Sequence, residues 1–414
     1  MKQSFFLSLA LGSGWLLCPE SLVIAGNSAG QLGWLTLPLL AAVAILFVVC
    51  GKLLNNPLLP ATDSKEFQIL QGITGTIPAT ALTIAACMPL VVLAATALLV
   101  TSGYTFNEVF LYWFPNFGFS FLLLALLTIL QFFPEKTIFR AQFCFVALAA
   151  GGLLVLALYG IVGGEKAVTD VLQQPVGFSS TSSALLFLLF VGSTLSGNRQ
   201  TPSFLVPLAG FVIFFLWILV SLTYVSPERL ASSTIPYMTA AKKIMGDPGR
   251  QIMGVVVISG TCAAITGLTL LSRHMLAKIA TGKMTIGLLS EKAQRWFLPP
   301  LIALITGSLM ATGLAGDELL EVLLRGALIL WLLYYSFMCL SALICINTKS
   351  QPIFLPASIC TLILLVSLFT LVISNPHTIE ICIFIFSTLG ISGLLATIWF
   401  LINKKLNKQM EKTA

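Results

Sequence analysis

The sequence predicts an all-α integral membrane protein with about twelve transmembrane helices. Of its 414 residues, 57% are hydrophobic and only 9% are charged, whereas a soluble domain carries roughly 25% charged residues. Apolar runs of about 18 or more residues, the length that crosses the hydrocarbon core of a bilayer, recur from end to end. Most of the chain is therefore expected to face lipid or other helices rather than water.

Short polar connections separate the apolar runs, so a single transmembrane domain is predicted to cover 1–414. The first run resembles a signal peptide, but Gly12 and Gly14 interrupt it and Pro19-Glu20 stands where a cleavage site needs small residues. We therefore interpret it as the first span. The predicted spans are 4–24, 31–51, 72–101, 114–133, 138–162, 178–197, 203–225, 249–275, 297–315, 319–346, 352–374 and 378–403.

Basic residues predict the orientation of these spans. With the N-terminus in the cytoplasm, 16 of the 22 Lys and Arg residues fall on the inside and 6 on the outside. This asymmetry follows the positive-inside rule and predicts a multi-pass protein of the cytoplasmic membrane with both termini cytoplasmic. The outer connection 226–248 contains a helix start at Pro236 and a stop at Gly246-Asp247-Pro248, which predicts a short external helix.

Two spans are interrupted in the same way. Span 1 contains Gly12-Ser13-Gly14, and span 6 contains Gly192-Ser193-Thr194. Irregular backbone at membrane depth is tolerated only where it lines a protein-walled cavity, and interrupted spans at matching positions of two halves are typical of inverted-repeat transporters. The alternative is that these are small-residue helix-packing motifs. The matched spacing, five spans apart, favours the transporter interpretation.

Several stretches together have a familiar layout. Leu11–Pro19 has a Gly-small-Gly-hydrophobic pattern followed by proline, and Phe190-Val191-Gly192 has an aromatic-small-Gly pattern in span 6. The external helix from Pro236 to Gly249 leads into a span that ends at Ser272-Arg273. In these features the chain resembles the amino acid–polyamine–organocation (APC) transporter superfamily.

The resemblance implies a leucine-transporter-like fold, with a first five-helix repeat over 1–162, a second, inverted repeat over 178–346 and two additional helices over 352–403. It also implies that Gly12, Ser13 and Gly14 hold a substrate carboxylate, while Phe190, Val191 and Gly192, with the adjacent Ser193, hold and cover the amine. Ser193-Thr194 departs from the family pattern, since many members carry a glutamate just after the span-6 glycine.

Gating and ion coupling have weaker candidates. Glu20 is a carboxylate within a predicted span, which makes it a functional candidate unless it is solvated at the interface. Ser259 and Thr261 in span 8 would form a sodium site with span-1 carbonyls, as in some proteins of this fold, unless they bond to their own helix backbone. Whether a proton or sodium is the coupling ion is left open. Glu321 and Arg325 are either an outer gate pair or a surface ion pair at i, i+4 spacing.

The leading hypothesis is a secondary transporter of an amino acid or similar small amine, working by alternating access without enzymatic chemistry or a resident cofactor. Its expected partners are a small-molecule substrate and the lipid bilayer, not nucleic acid. The nine cysteines include no C-x-x-C pair, which argues against a metal site. The alternatives are a transport-inactive sensor or accessory subunit of the same fold and, further behind, a membrane-embedded enzyme, for which the spans hold too few titratable residues.

Overall fold

A computed structural model describes residues 12–56, 59, 65–163, 205–281, 291–314, 317–346 and 353–413. Everything regular in these ranges is helical. After a short helical segment at 12–16, the helices are α1 (Pro19–Leu32), α2 (Thr36–Leu54), α3 (Lys65–Thr74), α4 (Thr76–Val109), α5 (Asn116–Leu130), α6 (Glu135–Val162), α7 (Leu205–Tyr224), α8 (Pro227–Ala231), α9 (Pro236–Thr281), α10 (Glu291–Ala311), α11 (Glu318–Ile346), α12 (Phe354–Ile373) and α13 (Thr378–Thr413).

The helices are long and apolar because the sequence offers long runs of helix-compatible apolar residues bounded by proline, glycine and charge. Seven helical stretches in the described part of the chain are long and apolar enough to cross a membrane, and three shorter apolar helices accompany them. Together they make this a multi-pass membrane protein. A helix lies at each predicted span from the second to the fifth and from the seventh to the twelfth. The sixth span lies outside the described residues, so the total of twelve stays a prediction.

The segment ahead of the eighth predicted span is helical, as its sequence predicts. α9 begins at Pro236, and its backbone leaves helical geometry at Gly246, where φ is 70° and ψ is −144°. A positive φ of this kind favours glycine, which has no Cβ to clash with the following carbonyl. Gly246 and the nearby Pro248 therefore separate a short first helix from the apolar remainder of α9.

The chain divides into two compact units. Unit 1 comprises Met1–Gly51 and Ala95–Leu268, and unit 2 comprises Lys52–Ala94 and Thr269–Ala414. The continuous helices α4 and α9 contribute residues to both units. This division does not follow the predicted repeats, which were placed at 1–162 and 178–346, and the inverted repeat stays a prediction.

Each unit has its own packing core. In unit 1, α1 packs on α7 and α8, and α6 packs on α7. In unit 2, α11 is central and contacts α3, α12 and α13. Trp331, Tyr334 and Tyr335 of α11 are almost fully buried, whereas α12 and α13 expose large apolar side chains such as Phe369 and Phe386. Exposed apolar side chains on long helices are expected where lipid replaces water as the solvent.

Candidate substrate-binding site

The first span is broken at Leu17 and Cys18, inside unit 1. The segment 12–16 is helical, Leu17 and Cys18 leave the helix, and α1 starts at Pro19. Cys18 has an extended backbone, with φ −77° and ψ 158°, and Pro19 has no N–H with which to continue the helical hydrogen bonds. Leu16, Leu17 and Cys18 are each 0% exposed. This is a break in the helix held entirely within protein.

The break frees backbone polar groups at both helix ends. The Cys18 N–H donates to the Trp15 carbonyl at 3.2 Å, and the Leu22 N–H donates to the Cys18 carbonyl at 3.2 Å. Within the described residues, no backbone N–H donates to the carbonyls of Leu16 and Leu17. The N-terminus of α1 also has no side-chain cap. Free carbonyls carry partial negative charge at the end of one helix, and free amides carry partial positive charge at the start of the next.

Three polar side chains adjoin the break. The Cys18 thiol lies 3.6 Å from the Ser21 hydroxyl, which donates to the Trp15 carbonyl at 2.8 Å. Glu20, in the first turn of α1, is half-buried. It is an electrostatic neighbour of Cys18 and of the buried Tyr237 at the start of α9. The break therefore carries one carboxylate beside a hydroxyl and a thiol.

α9 closes one side of the break with small residues. A Cβ added at Gly260 would clash with the Leu17 carbonyl oxygen and lie 2.9 Å from the Leu17 carbonyl carbon and 3.3 Å from the Cys18 Cα. The two backbones thus touch directly, which only glycine at position 260 allows. Ala263, on the next turn of α9, is also fully buried.

α6 joins the same junction through a buried amide. Gln142 is 0% exposed, and its Nε2 donates to the Ala263 carbonyl at 3.0 Å. A Cβ at Gly14 would lie 2.7 Å from the Ala263 oxygen and 2.8 Å from Gln142 Nε2. Three segments of unit 1, namely 12–16, α6 and α9, therefore meet at Gly14, Gln142 and Ala263.

This arrangement corrects the predicted position of the break. Gly12, Ser13 and Gly14 lie within the helical segment, and the backbone leaves the helix a few residues later, just before Pro19. A buried glycine can stay helical where tertiary packing stabilises the helix, whereas proline lacks the backbone hydrogen-bond donor itself. The close packing at Gly14 agrees with the small-residue interpretation of this motif. That these three residues hold a carboxylate stays a prediction, and Phe190, Val191, Gly192 and Ser193 lie outside the described residues.

The span-8 hydroxyls are not brought to the break. Ser259 Oγ donates to the Val255 carbonyl of its own helix at 2.6 Å. Thr261 Oγ1 accepts a bond from the Ser102 hydroxyl of α4 at 2.7 Å. Gly260 and Ala263, the residues of span 8 that contact the segment 12–18, have no side-chain oxygen. For Ser259, the structure therefore has the alternative to a sodium site, a hydrogen bond to the backbone of its own helix.

The far end of α1 is held by two further glycine contacts. A Cβ at Gly26 would lie 2.6 Å from Pro236 Cβ, and one at Gly30 would lie 2.7 Å from the Ala231 Cα. α1 therefore lies directly against the segment that contains α8 and the start of α9. Glu20 sits at the opposite end of α1, next to the break.

Sequence reasoning missed Cys18, Ser21, Gln142 and Gly260 as members of this region. Pro19 was the available signal for the break, because proline lacks the N–H that continues the helical hydrogen bonds and is favoured at the first position of a helix. Gln142 stands out as a polar amide in an apolar span, a feature that indicates a buried partner or a functional role. Nothing in the spacing of Gly260 indicates that it faces Leu17, since that contact depends on how the helices cross.

The charged pair Glu321 and Arg325 lies at the protein surface. Glu321 and Arg325 form an ion pair on α11 with both side chains largely exposed, which agrees with the surface interpretation of this pair. In the part of the chain that the structure describes, no group of three or more His, Cys, Asp or Glu residues could hold a metal ion.

Comparisons with known proteins identify the fold. No protein-family model and no curated protein matches the chain. A crystal structure of a variant of the manganese transporter from Eremococcus coleocola is 13% identical, with a TM-score of 0.59, covering 97% of this chain and 94% of that one. The same transporter in complex with an aromatic bis-isothiourea substituted compound is 14% identical, with a TM-score of 0.58 and coverages of 96% and 94%. Over nearly its whole length, this chain shares the fold of a membrane transporter.

Proposed function

We propose that this chain is a secondary transporter that moves a small amine-bearing solute, such as an amino acid, by alternating access. The observation that supports this most is the fully buried break at Leu17–Cys18, because broken helices at membrane depth are typical of transporters, in which they form the substrate site. The transporter fold of the structural neighbours supports the same class of activity. No enzymatic chemistry and no resident cofactor are part of this proposal.

The chemistry of the break favours an amine. The carbonyls of Leu16 and Leu17, to which no backbone N–H of the described residues donates, present partial negative charge, and the half-buried Glu20 adds a carboxylate nearby. A protonated amine has up to three N–H donors and can bind several of these oxygens at once. The uncapped N-terminus of α1 is suited to a substrate carboxylate, although Glu20 lies in the same turn and opposes it. Amines that lack a carboxylate are therefore substrates to test beside amino acids.

Uptake into proteoliposomes tests the proposal. The purified full chain is reconstituted and challenged with radiolabelled neutral amino acids and, separately, with small monoamines and polyamines. We expect saturable uptake of at least one of these solutes, which Ser13→Pro should abolish without loss of folded protein, since proline clashes within the helix that ends at the break. If no solute in either class is taken up by folded protein, the proposal is wrong and the sensor or accessory-subunit alternative takes its place.

A divalent metal ion is the second candidate substrate, because the neighbouring structures are of a manganese transporter. The chemistry described here supports it less. Manganese favours carboxylate, carbonyl and water oxygens. The break offers the Leu16 and Leu17 carbonyls but a single carboxylate, Glu20, and the described part of the chain has no group of three or more His, Cys, Asp or Glu residues that could hold a metal ion. Manganese uptake measured in the same proteoliposomes distinguishes the two candidates. Uptake of manganese alone would replace the amine proposal.

Family membership and orientation are part of the same proposal. We assign the chain to the APC-type carriers on the resemblance of Leu11–Pro19 and Phe190–Gly192, with the five-plus-five repeat and the gating role of Glu20 that this implies. The cytoplasmic position of both termini and residence in the cytoplasmic membrane rest on the distribution of basic residues.

A further inference from the structure

We propose that the turn between α4 and α5, residues 110–115 and here called the aromatic turn, is a membrane anchor that holds Tyr112 and Trp113 in the headgroup region of the bilayer. Tyr112 is 86% exposed and Trp113 is 76% exposed. Each ring combines a large apolar surface with one polar group, the combination that favours the boundary between lipid and water. This anchor does not depend on which solute the chain carries.

A side-chain amide fixes the shape of the aromatic turn. Asn107, in the last turn of α4, donates from Nδ2 to the Tyr112 carbonyl at 2.7 Å and to the Phe114 carbonyl at 2.8 Å. Both protons of one NH2 group therefore bond to carbonyls that lie outside any helix. The two exposed rings stand on a backbone that is held in one shape rather than on a loose loop.

Phenylalanine rings support the turn from the protein side. Phe106 of α4 stacks on Phe119 of α5, with ring centroids 4.0 Å apart and an interplanar angle of 4°. Phe114 of the aromatic turn meets Phe106 edge to face at 5.8 Å. The purely apolar rings thus contact one another, whereas the two rings with a polar group, Tyr112 and Trp113, are the most exposed aromatic rings of the turn.

The length of α5 indicates the depth of the turn in the membrane. α5 has 15 residues and is about 22 Å long at about 1.5 Å per residue, whereas the hydrocarbon core of a bilayer is about 30 Å thick. Its early residues Phe121 and Leu122 are already exposed apolar side chains. Since α5 is too short to carry both its ends out of the bilayer, the turn directly before it lies at the lipid boundary rather than in bulk water.

The base of the turn is attached to α9 as well as to α4. A Cβ added at Gly254 of α9 would lie 2.9 Å from Phe110 Cε2 and 3.0 Å from Val109 Cγ1. Arg250, one turn earlier on α9, donates to the Glu108 carbonyl at 3.1 Å. Rings held in the headgroup region at this point therefore set the depth of two helices of unit 1 at once.

Fluorescence quenching of the full chain in lipid nanodiscs tests the anchor. Trp113→Phe removes one of the seven tryptophans at an exposed site, so the wild-type emission minus that of the variant isolates Trp113. We expect this signal to be quenched most by lipids brominated near the top of the acyl chains, less by lipids brominated near the chain ends, and little by iodide in the buffer.

Three results of this experiment would overturn the anchor. Strong quenching by iodide would place the ring in water. Stronger quenching by lipids brominated near the chain ends would place it in the hydrocarbon core. Protection from iodide and from both brominated lipids would mean that protein covers it.

Asn107→Ala tests whether the shape of the turn is needed. Without the two donors that hold the Tyr112 and Phe114 carbonyls, we expect the Trp113 signal to lose its protection from iodide. The signal is isolated by combining Asn107→Ala with Trp113→Phe. Glu108→Gln is the matched control, since this neighbouring side chain pairs with Arg250 and not with the turn, and it should leave quenching unchanged. Wild-type quenching in Asn107→Ala, or an equal change in Glu108→Gln, would refute the role of Asn107 in the anchor.

Discussion

Gly260→Ala is the sharpest test of the direct backbone contact between α9 and the break. The added methyl group would clash with the Leu17 carbonyl oxygen and lie 2.9 Å from its carbonyl carbon, whereas ordinary contact begins at 3.4 Å. To reach ordinary contact, the Leu17 carbonyl carbon has to move away from the new methyl group by about 0.5 Å. The backbone that has to move is buried. Inserting a methyl group into a well-packed core costs about 1–3 kcal/mol.

Gly151→Ala on α6 isolates this cost, because a Cβ at Gly151 meets nothing within 4 Å. Both variants gain the same advantage of alanine over glycine in a helix, about 0.5–1 kcal/mol. The difference between their free energies of unfolding therefore reports the contact alone and should be about 1–3 kcal/mol. Equilibrium unfolding in mixed detergent micelles, followed by tryptophan fluorescence, measures it. A difference within about 0.5 kcal/mol would refute the contact. We also expect Gly260→Ala to lower solute uptake, since it displaces the break, and Gly151→Ala to preserve it.

Three further predictions concern charge and orientation. A cysteine introduced at Ser232 should react with a membrane-impermeant thiol reagent added outside, and one at Lys283 should not; the reverse pattern would invert the proposed topology. Glu20→Gln, which is nearly isosteric and permanently neutral, should change the pH profile of uptake in proteoliposomes if the carboxylate takes part in gating, and an unchanged profile would remove Glu20 from the mechanism. Glu108→Gln should lower the free energy of unfolding by no more than about 1 kcal/mol. The ion pair of Glu108 with Arg250 is long, at 3.9 Å, and partly exposed, and Arg250 also donates to the Glu108 backbone carbonyl at 3.1 Å. A larger loss of stability in the unfolding titration would contradict this.

Composition and apolar run length were enough to predict the class and the placement of most helices. A span of about 20 apolar residues has few alternatives to a helix, because backbone groups in lipid must bond within their own segment. Proline and glycine residues that mark helix ends also predicted the structure correctly where they cluster. Pro236 begins α9, and Gly246 takes a positive φ as the turn requires. These features depend only on residues close together in the chain.

The position of the break shows where such reasoning stops. Gly12 and Gly14 are poor helix formers, but their segment stays helical because its glycine surface packs on α9 and Gln142. The backbone leaves the helix instead at Leu17 and Cys18, just before Pro19, which has no N–H to donate. The intrinsic helix propensity of glycine differs from that of alanine by about 1 kcal/mol, and tertiary contacts outweigh a difference of that size.

The sequence by itself determined that this protein is a polytopic helical membrane protein, because hydrophobic length acts through the bilayer and needs no partner segment. Only the tertiary structure decided which small and polar residues meet. Gly14, Gln142 and Gly260 belong to segments far apart in the chain, and their contacts depend on how those helices cross. The same crossing turned Thr261 toward Ser102 and left Gly260 and Ala263 beside the break. The sequence determines which side chains are present, but helix packing determines which neighbours each side chain faces.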